Sequence, residues 1–235
     1  MKQAGGKRFS VLGLVTISAF GGALPYELVG PAAQAREQAL LIALPGTGES
    51  ARFYCDIFSA GRYRKLARER GYVLACLSSY GLGMRYENHE NQIIAVRDEL
   101  VARYPRVRKV FLTGYSIGGR GALMVALRHP DKFDGVAAIV PWLRLPGDNR
   151  EAFPEMTARV EEYPHEVFFI SAMFDFFFPS GRKETRRFIE ASDGRVNRKY
   201  YPTDHWFVVA ASARDMFDFF DAHRYGQIDR TARAD

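Results

Sequence analysis

Ser116, Asp175 and His205 together carry the groups for one piece of chemistry: a hydroxyl, a carboxylate and an imidazole. A serine hydroxyl is a weak nucleophile until a neighbouring imidazole takes its proton. The imidazole in turn needs a carboxylate to fix its tautomer and stabilise the imidazolium that forms. Ser116 lies in Gly114-Tyr-Ser-Ile-Gly118, with glycine at minus two and plus two. That is the spacing of a sharp strand-to-helix turn that exposes a nucleophile. With 21 glycines in 235 residues the bare pattern arises by chance about 0.1 times per chain, so its surroundings must support it.

The surroundings are a regular alternation of strands and helices. Continuous apolar runs at Ala39–Leu44, Tyr72–Leu77, Val107–Thr113, Gly135–Val140 and Val167–Ala172 read as strands buried on both faces, and Arg198–Tyr201 as a short sixth. Helical patterns fall between them. Arg52–Arg70 is broken near Gly61 and stopped by Gly71, and Gln92–Tyr104 places Ile93, Val96, Leu100 and Val101 on one side. Ile117–His129 ends at Pro130, and further helices are expected around Glu151–Glu162, Gly181–Ala191 and Trp206–Ala222. The expectation is an α/β fold: a minimal, mostly parallel sheet of about six strands with helices on both faces. In such sheets ligands bind beyond the carboxyl ends of the strands. Ser116 follows the third predicted strand, Asp175 the fifth, His205 the sixth, and the loop Pro45–Gly48 the first.

Acyl transfer also needs fixed donors for the tetrahedral oxyanion, and the backbone N–H groups of Ile117 and Thr47 are placed to supply them. Tyr115, Trp142, Phe176 and Trp206 are the candidates to line a substrate pocket, within a wider aromatic set that adds Tyr80, Phe174, Phe177 and Phe178. Other residues are assigned structural or solvated settings. His129 precedes Pro130, His89 and His165 lie in loops, and His223 lies in the tail. Asp148 and Asp193 are loop acids, and Asp204 is adjacent to His205, a spacing that seldom lets a carboxylate orient an imidazole.

The order serine, acid, histidine and the motifs Leu44-Pro-Gly-Thr-Gly-Glu-Ser50, Gly114-Tyr-Ser-Ile-Gly-Gly119, His129-Pro-Asp-Lys-Phe133 and Asp175–Pro179 resemble the α/β-hydrolase superfamily. Within it the chain looks most like small secreted esterases of the polyhydroxybutyrate depolymerase and feruloyl esterase type, over about residues 39–222. The resemblance implies a carboxylic-ester hydrolase with a Ser116–His205–Asp175 triad and no cofactor. It departs from the family pattern in having Pro45-Gly46 where His-Gly is usual in the oxyanion loop, and Ser171-Ala172 where His-Gly usually precedes the acid. The family's opening hairpin is expected to be absent.

Residues 1–35 read as a secretory signal peptide. Lys2, Lys7 and Arg8 precede the uncharged run Val11–Leu24, and Ala33-Gln-Ala35 is a small-x-small cleavage signal. An uncleaved membrane anchor is the alternative. The catalytic domain would then be residues 36–235, secreted or periplasmic, with no stable membrane insertion after cleavage. Cys55 and Cys76 suit an exported protein and could form one disulfide or remain two buried thiols. The formal net charge is +6, but Lys and Arg are interleaved with acids, as in Arg64–Arg70, which argues against a nucleic-acid surface. Neither the cysteines nor the 5 histidines have metal-ligand spacing. The expected partner is a small-molecule or polymer-borne ester. A serine peptidase, an acyltransferase or a catalytically silent binding module would share the fold.

Overall fold

The computed structural model describes residues 24–31, 37–80, 85–145, 152–176, 181–192 and 194–225. Seven strands form one sheet in the order β1-β3-β2-β4-β5-β6-β7. They are β1 (Tyr26–Val29), β2 (Gln38–Leu44), β3 (Tyr72–Leu77), β4 (Val107–Tyr115), β5 (Gly135–Ile139), β6 (Val167–Ala172) and β7 (Val196–Tyr201). All neighbouring pairs are parallel except β1 with β3.

The helices are α1 (Arg62–Arg70), α2 (Glu90–Arg103), α3 (Ile117–Arg128), α4 (Ala152–Glu162), α5 (Gly181–Ala191) and α6 (Phe207–Arg224). The side-chain alternation of a strand explains why the runs are apolar throughout. Leu40, Ile42 and Leu44 of β2 enter the core under α2 and α3, while Ala39, Leu41 and Ala43 enter the core under α1 and α6. The central strands β2, β3, β5 and β6 are therefore buried along their whole length, whereas β1 and β7 at the sheet edges carry polar residues.

The break expected near Gly61 is a π-helical turn, Phe53–Phe58, followed by residues with positive φ at Ala60 and Gly61 before α1 begins. Cys55 in that turn is bonded to Cys76 in β3, which decides between the two readings of the cysteines. The link closes a sequence separation of 21 residues. In the chain-entropy account such a loop contributes about 3 kcal/mol by restricting the unfolded chain. A Cys55→Ala/Cys76→Ala variant, measured by urea unfolding, should lose about 2–4 kcal/mol; an unchanged midpoint would contradict this.

The expected sheet of about six strands has seven, and the added edge strand, β1, lies within the region read as a leader. β1 pairs Tyr26 with Leu77 and Val29 with Leu74, and Leu24, Tyr26 and Val29 are buried. Tyr26 donates its hydroxyl hydrogen to Glu99 Oε1 at 2.8 Å, and Glu27 shares Arg64 with Asp56. Pro25 and Gly30-Pro31 fall just outside this four-residue edge strand, where proline is tolerated.

Candidate active site

The elbow forms because two glycines allow two backbones to touch. A Cβ on Gly114 would lie 2.0 Å from Gly118 O, and one on Gly118 would lie 2.3 Å from both Leu44 O and Pro45 O. The second contact presses the start of α3 against the loop that follows β2. Ser116, between the glycines, has φ 56° and ψ −117°, which a side chain rarely adopts. Such strain persists only where the surroundings over-determine it, and here three backbone bonds do so. Ser116 N–H donates to Ile139 O at 2.9 Å, while Ser116 O accepts from Arg120 N–H at 3.1 Å and Trp142 N–H at 3.2 Å. A second strained residue, Val140 at φ 40°, turns the chain after β5 so that Trp142 can reach Ser116.

Arg120, fully buried one turn into α3, holds this region from behind. It donates to Leu143 O at 2.5 Å and to Glu87 Oε1 at 2.9 Å. Breaking a buried pair of this kind strands a charge, so the pair fixes where α3 starts.

Asp175 follows β6 and His205 follows β7, and the two meet. His205 Nδ1 lies 2.8 Å from Asp175 Oδ2, both side chains being largely buried. Tyr115 packs its ring 5.0 Å from the imidazole on one side, and Trp206 stands edge-on at 6.1 Å. Asp204, the neighbouring acid, instead accepts from Trp206 N–H and Phe207 N–H, both at 2.9 Å. It caps α6 and points away from the role of orienting the histidine.

The loop after β2 is held by groups from distant elements. Tyr86 OH donates to Pro45 O at 2.9 Å, and Ser79 OH donates to Gly46 O at 2.6 Å. Gly46 N–H donates to Glu49 Oε2 at 2.9 Å. The Gly46 amide is therefore occupied, while the Thr47 amide has no partner among the described residues. Proline at position 45 costs nothing here, because the loop is positioned through its carbonyls.

Glu49 is a site residue that the sequence reading left unassigned. Burial pushes its carboxyl up to about 7, against the opposing pull of the Gly46 N–H and of His205. The folded-state value lies above the ordinary 4.5, so this group's contribution to stability is complete below about pH 4.5 and fades as pH rises through about 7. Glu49→Gln keeps an acceptor for Gly46 and removes the fade. The unfolding free energy of the wild type relative to Glu49→Gln should therefore be lower near pH 8 than near pH 5. A pH-independent difference would contradict that assignment.

The aromatic candidates separate into different settings. Tyr115 is only 2% exposed, stacked on Tyr54 at 6.0 Å and tilted against His205, so its ring packs behind the imidazole. Trp142 is half-buried beside the elbow. Phe176, at 75% exposure, and Trp206 lie open, as do Tyr80 and Phe174. Phe177 and Phe178 lie outside the described residues. Among the described residues no group of three or more His, Cys, Asp or Glu is arranged to hold a metal.

The Esterase family model matches residues 89–205, a span that contains Ser116 and Asp175 and ends on His205. Est1E from Butyrivibrio proteoclasticus is similar in structure, with a TM-score of 0.70 and 15% identity over 88% of this chain and 97% of that one. An S-formylglutathione hydrolase from Agrobacterium tumefaciens aligns with a TM-score of 0.65 and 18% identity over 83% and 88% of the two chains. The fluorophosphonate-binding serine hydrolase FphF of Staphylococcus aureus aligns at 0.66 and 14% over 83% and 91%. Over residues 89–205 the chain matches the Esterase family, and its sheet and helices form the α/β-hydrolase fold that these structures share.

Proposed function

We propose that Ser116 is the nucleophile of a Ser116–His205–Asp175 triad that cleaves esters through an acyl-enzyme. The observation that carries this reading is the Asp175–His205 contact at 2.8 Å, delivered to the same sheet edge as the strained Ser116. With Nδ1 committed to Asp175, Nε2 is the atom that takes the serine proton. The hydroxyl oxygen then attacks the ester carbonyl. The oxyanion is met by the N–H of Ile117, in the first turn of α3, and by that of Thr47. His205 returns the proton to the leaving alcohol, and water repeats the sequence to release the acid. Trp142, Phe176 and Trp206 contribute apolar surface around the cleft, for a small or polymer-borne ester.

A panel of nitrophenyl esters of increasing acyl length, run beside aminoacyl amides, tests the ester reading. Turnover of esters with little amide turnover is expected. Amide turnover alone would favour a peptidase.

Export belongs to the same reading and is supported by the Cys55–Cys76 disulfide, a bond of oxidising compartments. Cleavage after Ala35 would remove β1. A cut before Leu24, where Gly21-Gly22-Ala23 offers small residues at the required positions, leaves the seven-stranded sheet intact. N-terminal sequencing of exported protein distinguishes the two, and a chain that retains Met1 would overturn export with cleavage.

A further inference from the structure

Beyond the triad acid, the carboxyl ends of β5, β6 and β7 and the facing side of α5 enclose a cavity of about 540 Å³. Val140, Pro141 and Phe169 give it apolar walls, Asp175 borders it, and Arg198 of β7 and Arg186 of α5 line it. It is thus continuous with the turn that braces Ser116 and with the residue that holds His205.

Arg186 is exposed and Arg198 is not. Arg64, Arg70 and Arg128 are partly buried, and each sits between two carboxylates. Arg198 is half-buried and has no carboxylate partner among the described residues, and neither has Arg186. Asp175 does not serve, since its carboxylate is engaged by His205. Arg198 is held in place by neutral groups: its Nε donates to Ser171 Oγ at 3.3 Å, and its guanidinium lies 4.0 Å above the Tyr200 ring. Burial lowers the Arg198 pKa against the opposing pull of Tyr200, and the Arg186 charge adds a smaller lowering. A partly desolvated guanidinium facing a second one is a poor arrangement for an empty surface and a good one for an anion, because planar guanidinium groups match carboxylate oxygens.

We propose that this cavity is a carboxylate subsite, in which Arg198 and Arg186 bind an acid group carried on the acyl or alcohol half of the ester substrate. The proposal rests on the reading of Ser116 as the nucleophile. β7 lies three strand spacings from β4, about 14 Å, and an arginine side chain spans part of that gap. The bound carboxylate therefore lies several bonds from the scissile carbonyl, as in a half-ester of a dicarboxylic acid. Asp175 discourages a second negative charge near the reacting carbonyl, which favours acids of that length over shorter ones.

The test compares the mono-nitrophenyl ester of glutaric acid with the same ester capped as its methyl ester. Wild-type kcat/KM should favour the free acid by about tenfold or more. In Arg198→Gln the ratio should fall to about one, in Arg186→Gln it should fall partway, and in Arg198→Lys part of the preference should return. A wild-type ratio near one, or a preference that survives Arg198→Gln, would overturn the subsite while leaving Ser116 untouched. If wild type hydrolyses neither ester, the nucleophile reading fails, and glutarate binding then decides the subsite separately. A rise in melting temperature with glutarate in wild type but not in Arg198→Gln supports it, and no rise in either overturns it.

Discussion

Ser116→Ala should fold as the wild type does and lose about 10⁴-fold or more of its ester kcat. The fold should survive because alanine keeps the Cβ, so the backbone strain at φ 56° is the same in both proteins. The bonds that hold the position are all main-chain: Ser116 N–H to Ile139 O, and Arg120 and Trp142 N–H to Ser116 O. The activity should collapse because no other aliphatic hydroxyl is carried on that turn. What remains would come from the oxyanion donors and substrate binding alone. Matched unfolding curves with a lost burst of nitrophenol are the expected pair of results. A variant that turned over esters at a tenth of the wild-type rate would place the nucleophile elsewhere.

Asp175→Asn should lower kcat by about 10⁴-fold with the fold intact. An amide at position 175 can offer its N–H to Nδ1 and so stabilise the wrong tautomer of His205, leaving the nitrogen that faces the serine protonated. The neighbouring acid provides the internal comparison. Asp204 caps α6 through bonds to Trp206 and Phe207 N–H, so Asp204→Ala should cost about 1 kcal/mol of stability and only a severalfold change in kcat. The two variants thus separate orienting a base from starting a helix. Loss of activity in Asp204→Ala with retention in Asp175→Asn would reverse the assignment.

What could be read from the chain, and what could not, follows from how far each signal reaches. The elbow is local: a glycine, one residue, the serine, one residue and the next glycine fit within one turn, and the strand and helix flanking it are among the most apolar runs. Asp175 and His205 were legible because strand order alone delivers them to one edge. Tyr115 is buried, and the sequence carries a signal for that. It shares its parity along β4 with Phe111 and Thr113, which enter the sheet face under α6, so its ring had to turn toward that core. β1 was hidden by its length and by the prolines beside it.

Glu49 and Arg198 were hidden for a different reason. Nothing near Glu49 in sequence says that the Ser79 hydroxyl and the Tyr115 ring will close around it. Nor does the basic stretch of β7 show that Arg198 faces another arginine rather than an acid. Electrostatic environments are made by tertiary contacts, and those contacts are what the sequence pattern leaves unstated. The disulfide has the same character: two cysteines 21 residues apart allow a bond, and only the placement of the π-helical turn over β3 decides it.

Covalent labelling tests the central claim most directly. Treating the wild type with a fluorophosphonate and locating the adduct by peptide mass spectrometry should give stoichiometric modification on Ser116, absent from Ser116→Ala and strongly slowed in Asp175→Asn. An adduct on another serine, or a folded wild-type protein that takes no label, would contradict the account.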